Sequence, residues 1–192
     1  LVINPSVLLL DEPLANLDAK LREEMRFFIK ELQREFGITT VYVTHDQSEA
    51  LVLADRIAVM MDGVIEQLGD PKEIYEQPSS ARAASFIGLT NFVPGHILRN
   101  EGGALTVATE YGELAARGAA SRTEGEQVLV CIRPEAFTLH GSDGDPSGFE
   151  REGDRTRIRT RITDAAYLGS LVDYRTESAR GLEMRCQAAG GE

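Results

Sequence analysis

At 192 residues the chain has room for one large or two small domains with a sheet-and-helix core. A formal net charge of −11 argues against non-specific nucleic-acid binding, which draws on basic patches. The two cysteines, Cys131 and Cys186, have no metal-ligand spacing and read as reduced thiols rather than a disulfide. No apolar run approaches the roughly 20 residues of a membrane helix, and no signal peptide is visible.

Near the start, Val7-Leu8-Leu9-Leu10 runs without alternation into Asp11-Glu12-Pro13. A continuous apolar run suits a strand buried on both faces of a parallel sheet, and the two acids then fall at its C-terminal edge, where open α/β sheets bind ligands. A core strand followed by a solvated loop is the plainer alternative. Ala15-Asn16-Leu17-Asp18 follows, then Leu17, Leu21, Met25, Phe28, Leu32 and Phe36 at helical spacing. That stripe reads as ordinary core rather than a cofactor box. Asp18 suits the N-cap, Gly37 the stop, and Lys20, Glu23, Glu24, Lys30, Glu31 and Arg34 the solvated side.

Thr39-Thr40-Val41-Tyr42-Val43-Thr44-His45-Asp46 reads as a second strand ending in a histidine. A right-handed strand–helix–strand connection makes the two strands parallel and puts His45 on the edge of Asp11 and Glu12. Two acids and an imidazole there suit a metal-bound phosphate and an attacking water; a buried, hydrogen-bonded core histidine is the competing reading. Asp46 with Glu49 three residues on reads as a capping box, and a cap is preferred to a catalytic role. Arg56–Met60 and Val64–Gln67 flank a Met61-Asp62-Gly63 turn, a hairpin signal. Asp70-Pro71-Lys72-Glu73 starts a helix, Pro78-Ser79-Ser80 breaks it, and a short helix carries Ala84, Phe86 and Ile87.

A domain boundary is expected within Gly88–Gly95, giving domains 1–90 and 91–192. Beyond it, strand-length runs at His96–Leu98, Ala104–Ala108, Gln127–Arg133, Ala136–Leu139, Arg157–Ile162, Val172–Thr176 and Leu182–Cys186 suggest a small barrel or sandwich. Arginines alternate through Arg155–Ile162; a solvated strand face is favoured over an anion-binding stripe. Gly141–Gly153 reads as a mobile loop. The final Ala-Ala-Gly-Gly-Glu brings no closing strand, which leaves room for the last domain to be incomplete.

Leu-Leu-Leu-Asp-Glu-Pro, Asn-Leu-Asp and Val-Thr-His-Asp, in this order, resemble the Walker B segment, D-loop and switch histidine of an ABC-transporter ATPase subunit. The resemblance runs on through Phe86–Phe92 and, more weakly, to the end, which is similar to the TOBE-type β-domain of polyamine, iron and sugar importer ATPases. It implies an α/β fold: the C-terminal part of a P-loop NTPase sheet-and-helix domain followed by a small all-β (OB-like, TOBE) domain. It implies Asp11 as a Mg²⁺ ligand through water, Glu12 as general base, His45 as a γ-phosphate contact linked to Glu12, and Asp18 as a D-loop residue at a dimer interface. The implied partners are ATP and Mg²⁺, a second copy of the subunit, membrane-spanning permease subunits and indirectly a solute-binding protein, on the cytoplasmic face of the inner membrane. Nucleic acid is not among them. The chain starts without Met and contains neither a GxxxxGK[ST] phosphate loop nor a Leu-Ser-Gly-Gly-Gln-like signature. It is therefore expected to be the C-terminal part of a longer subunit, with weak or absent ATP binding and no turnover alone. A non-transport ABC ATPase and a regulatory, ligand-sensing β-domain are the alternatives.

Overall fold

A computed structural model describes residues 5–141, 149–153 and 155–190. Two compact units divide the chain, Leu1–Gly88 and Leu89–Glu192.

The first unit begins with a strand–helix–strand: β1 (Val7–Asp11), α1 (Ala19–Phe36) and β2 (Thr39–Val43). β1 and β2 pair in parallel, from Val7 opposite Thr39 to Asp11 opposite Val43. Asp18 caps α1 by accepting from the Leu21 amide at 3.0 Å, and Gly37 ends it in the left-handed region at φ 58°. α2 (Gln47–Leu53) follows, then the hairpin β3 (Ile57–Met61) and β4 (Val64–Gly69), α3 (Pro71–Glu76) and α4 (Ala81–Ile87). Asp62 and Gly63 both take positive φ, as a two-residue hairpin turn requires. The core of this unit gathers Ile57, Val59, Met61, Ile74 and Ile87.

Burial departs from the expectation at two points. The continuous apolar run of β1 is not enclosed: Leu9 is 72% exposed, and Val41 on β2 is 50% exposed. Nor does α1 bury its stripe, since Leu21, Phe28 and Phe36 are all exposed and the helix has no fully buried residue. The inward face is instead partly basic. Arg22, Arg26 and Lys30, one turn apart, are only partly exposed, and Lys30 donates to the carbonyls of Val52 and Leu53 at 2.6 and 3.3 Å. Lys30 thus lies on the packed side of α1, where an ammonium meets the C-terminal carbonyls of α2.

The second unit is all-β. One sheet takes the order β10-β9-β7-β6-β5-β8, from β5 (Asn91–Glu101), β6 (Ala104–Thr109), β7 (Gly112–Arg117), β8 (Gln127–Ile132), β9 (Phe149–Glu152) and β10 (Arg155–Ile158). A second runs β11-β12-β13, from β11 (Arg161–Tyr167), β12 (Leu171–Glu177) and β13 (Glu183–Ala189), antiparallel throughout. Val93, Ile97, Leu105, Val107, Leu114 and Phe149 from the first meet Leu182 and Met184 in one core. Asn91 ties the two sheets: its amide donates to the Ile132 and Arg185 carbonyls at 3.1 and 2.9 Å and accepts from the Arg185 amide at 2.7 Å.

Several strand boundaries differ from the sequence reading. Ala136–Leu139 forms no strand, because Pro134, lacking an N–H, opens a single 3₁₀ turn at Pro134–Ala136. β7 went unread in an Ala-rich stretch whose one fully buried side chain is Leu114. The loop expectation for Gly141–Gly153 lies outside the described residues over 142–148, but Phe149–Glu152 is strand, with Phe149 buried. Arg157–Ile162 splits between β10 and β11, which belong to different sheets. Acids face the alternating arginines across the ladders: Arg155 opposes Glu152, Arg161 opposes Glu177, and Arg157 lies 2.9 Å from Glu152. Arg155, Arg157 and Arg161 lie on solvated strand faces, with Arg157 paired to Glu152.

Candidate functional site: the C-terminal edge of β1 and β2

Asp11 closes β1, and the chain turns at once. Glu12 takes φ 43°, a left-handed conformation uncommon for a residue with a side chain. Its amide donates to the Val43 carbonyl at 2.9 Å, so the turn after β1 is held against the end of β2. Val43 is the last residue of β2, and Thr44-His45-Asp46 leads from it into α2. This brings Nδ1 of His45 to 3.1 Å from Oε1 of Glu12, with the two side chains 74% and 46% exposed. An imidazole and a carboxylate so placed share a proton or jointly hold a water, and their exposure leaves room for a third reactant.

The support beneath this pair is better enclosed. Glu49, on the first turn of α2, is 3% exposed. One carboxylate oxygen accepts from the Thr44 hydroxyl at 2.7 Å and from the Tyr42 phenol at 3.0 Å. Burial, then the hydrogen bond and charge of Glu49, push the Tyr42 phenol well above its ordinary range. The Thr44 hydroxyl also accepts from the Asp46 amide at 2.9 Å. The capping box therefore closes differently from the expectation: Thr44, not Glu49, takes the N-cap amide, which frees Glu49 to tie α2 to β2.

Asp46 caps α2, accepting from the Ser48 and Glu49 amides at 2.9 and 3.2 Å and from the Ser48 hydroxyl. Its other oxygen accepts from Arg26 at 3.0 Å and lies 3.5 Å from Arg22. Burial pushes the Asp46 carboxyl up, but the Ser48 hydroxyl, the Glu49 and Ser48 amides and the Arg26 guanidinium outweigh it and hold it below its ordinary value. Glu12, Ala15, Arg22, Thr44, His45, Asp46 and Glu49 line one small pocket.

Of the residues singled out from sequence, Glu12 and His45 come together. Asp11 is exposed on the end of β1 and does not line the pocket. Asp18 is the exposed cap of α1; its carbonyl accepts from the Arg22 amide at 2.9 Å, and that of its neighbour Leu17 from the Arg22 guanidinium at 3.0 Å. Arg22, Arg26 and Tyr42 carry no expectation from sequence, and Glu49 only that of a capping-box partner. The signal for the arginines was present, since Arg22, Arg26 and Lys30 recur every fourth residue on one helix row. Among the described residues no three His, Cys, Asp or Glu side chains gather into a metal cage. Mg²⁺ with a phosphate ligand does not ask for one: it takes one or two carboxylates and fills its shell with water and phosphate oxygens, a demand Asp11 fits.

Residues 130–192 match the family model of the TOBE domain. Over 174 residues the chain is 52% identical to the Fe(3+) ions import ATP-binding protein FbpC of Fusobacterium nucleatum, covering 91% of this chain and 43% of that protein. It is 41% identical over 182 residues to the spermidine/putrescine import ATP-binding protein PotA of Pseudomonas fluorescens, covering 94% and 46%. It is 44% identical over 182 residues to the Fe(3+) ions import ATP-binding protein FbpC 1 of Rhizobium meliloti, covering 94% and 48%. The chain thus spans a little under half the length of these curated relatives. Such identity along nine-tenths of the chain, together with the TOBE match, makes it similar to the C-terminal part of ABC-importer ATP-binding subunits.

Proposed function

We infer that this chain carries the hydrolytic edge of an ATP-binding subunit that energises solute import. The observation that carries the reading is the 3.1 Å approach of His45 Nδ1 to Glu12 Oε1 at the C-terminal edge of two parallel strands. In a P-loop NTPase domain this edge faces the terminal phosphate. Glu12 orients and deprotonates the attacking water, its carboxylate kept half in solvent for that purpose. His45 holds the other side of the water or the phosphate and fixes the Glu12 carboxylate. Asp11 would hold Mg²⁺, which would supply neutralisation of phosphate charge. Asp18 belongs to the loop that meets a second copy of the subunit.

Phosphate affinity in such domains comes from loop and helix N-terminal amides. No phosphate-loop sequence occurs in these 192 residues, so the reading assigns nucleotide binding to a longer protein and no turnover to this stretch alone. The exposed apolar side chains of β1, β2 and α1 support that assignment, for they suit burial against further structure. No helix among the described residues is long and apolar enough to cross a membrane, so the reading assigns the crossing to permease partners, with this subunit at the cytoplasmic face. The matched relatives are named for two unlike solutes, Fe(3+) ions and polyamines. That suits a division in which partner proteins select the solute.

The test is Glu12→Gln in a subunit that also carries the phosphate loop. Hydrolysis falls by about a hundredfold or more, the scale of a lost general base, while ATP binding is retained. Loss of ATP binding together with hydrolysis contradicts the assignment, as does hydrolysis by the 192-residue chain that Glu12→Gln abolishes.

A further inference from the structure

Capping alone fixes Asp46 to α2, but nothing in a cap relates α2 and His45 to α1. Lys30 ties α1 to the end of α2, and at the start of α2, next to His45, two guanidinium groups make that relation. Arg26 meets Asp46 alone, at 3.0 Å. Arg22 forks: one terminal nitrogen donates to the Leu17 carbonyl at 3.0 Å, and the other lies 3.5 Å from the Asp46 carboxylate. Leu17 directly precedes Asp18, and Asp46 directly follows His45. One planar group therefore spans the loop before α1 and the loop after β2. Arg22 is 30% exposed, Arg26 17% and Asp46 21%, so both contacts are partly shielded from water. The Nε atoms of both arginines are enclosed with no partner among the described residues, which leaves their terminal nitrogens to make the bonds. Arg22 also lines the pocket that Glu12 and His45 share.

We propose that Arg22 is a positioning residue: through Asp46 it sets the direction of His45 toward Glu12, and through Leu17 it passes displacements of the Ala15–Asp18 loop to His45. The consequence for hydrolysis rests on the reading given above; the coupling between the two loops does not. A planar fork with donors on both ends holds two acceptors at once, which a single-point side chain cannot do with the same rigidity. A movement of the loop carrying Asp18 then reaches the imidazole without a shift of the β1–β2 ladder.

The experiment is a double-mutant cycle read by NMR on the 192-residue chain without nucleotide. Asn16→Ala perturbs the loop, and the reporters are the amides of Thr44, His45 and Asp46 and the His45 ring. Asn16→Ala is expected to displace these signals, and Arg22→Gln to abolish the displacement. Asp46→Asn keeps a good cap but removes the carboxylate that holds the guanidinium, so it is expected to abolish it too. It also carries the test should Arg22→Gln fail to fold. Equal displacement with and without Arg22 overturns the proposal, as does no displacement in the parent chain. A purely structural arginine lowers the urea midpoint yet leaves the cycle additive, which overturns it as well. Because no nucleotide is involved, failure here leaves the hydrolytic reading of Glu12 standing, and failure of that reading leaves the coupling standing.

Discussion

Glu49 offers the sharpest check on how the site is held. Its one bonded oxygen serves two donors, the Thr44 hydroxyl at 2.7 Å and the Tyr42 phenol at 3.0 Å, on a side chain 3% exposed. Hydrogen bonds to a charged group contribute about 1.5–3 kcal/mol each. Thr44 keeps its bond from the Asp46 amide when the carboxylate goes, so its loss is partial. Glu49→Ala is therefore expected to destabilise the first unit by about 3–4 kcal/mol, and Glu49→Gln, which keeps a carbonyl acceptor, by about 1–2 kcal/mol. The assay is urea unfolding, with hydrogen exchange resolving residues 39–54 from the rest. Ultraviolet titration of the phenols gives a second readout. Tyr42, held up first by burial and then by Glu49, titrates last in the parent and moves back toward the ordinary range in Glu49→Gln. A cost below about 1 kcal/mol for Glu49→Ala, or Gln as damaging as Ala, refutes the view that this carboxylate fastens β2 to α2.

Asn91→Ala removes two hydrogen bonds between the two sheets of the β-domain, both to Arg185, and one within its own sheet to Ile132, and strands the partly buried Arg185 amide and carbonyl. The expected cost is about 2–4 kcal/mol, read as a lower unfolding midpoint in residues 89–192. Cys131 is exposed, whereas Cys186 is enclosed and burial raises its thiol. One thiol equivalent should react quickly with an aromatic disulfide reagent in the folded chain, and the second only after denaturation. The Asp46 carboxyl is held below its unfolded value, so its contribution to stability is full above the unfolded pKa and is lost as pH falls through the folded one. Parent and Asp46→Asn should therefore differ in urea midpoint near neutrality and converge in acid; a constant difference contradicts this.

What the sequence disclosed about the site was its backbone logic. An apolar run closing in Asp11-Glu12, a helix bounded by Asp18 and Gly37, and a strand closing in His45 are local patterns with one good topological solution, and the parallel pairing of β1 with β2 is that solution. The side-chain clasp beneath was less legible. Arg22, Arg26 and Lys30 carry the same charges as residues that do face water, and only packing against α2 sets them apart. Glu49 stood at a position that local rules assign to the Asp46 amide, and Thr44 displaced it. In the β-domain, glycine and alanine within β7 and glycines flanking β9 hid these strands, because a strand with one inward apolar residue has almost no alternation to read. Pro134 decided the opposite error, turning an expected strand into a 3₁₀ turn.

The β1–β2 ladder has a further consequence for anyone who purifies this polypeptide. Two parallel strands pair only with each other among the described residues, so the outer rim of each presents unsatisfied amides and carbonyls flanked by Leu9, Val41 and Val43. Such rims recruit strands from other molecules. Without a companion to cover them, these lateral rims should make the polypeptide associate with itself as its concentration rises.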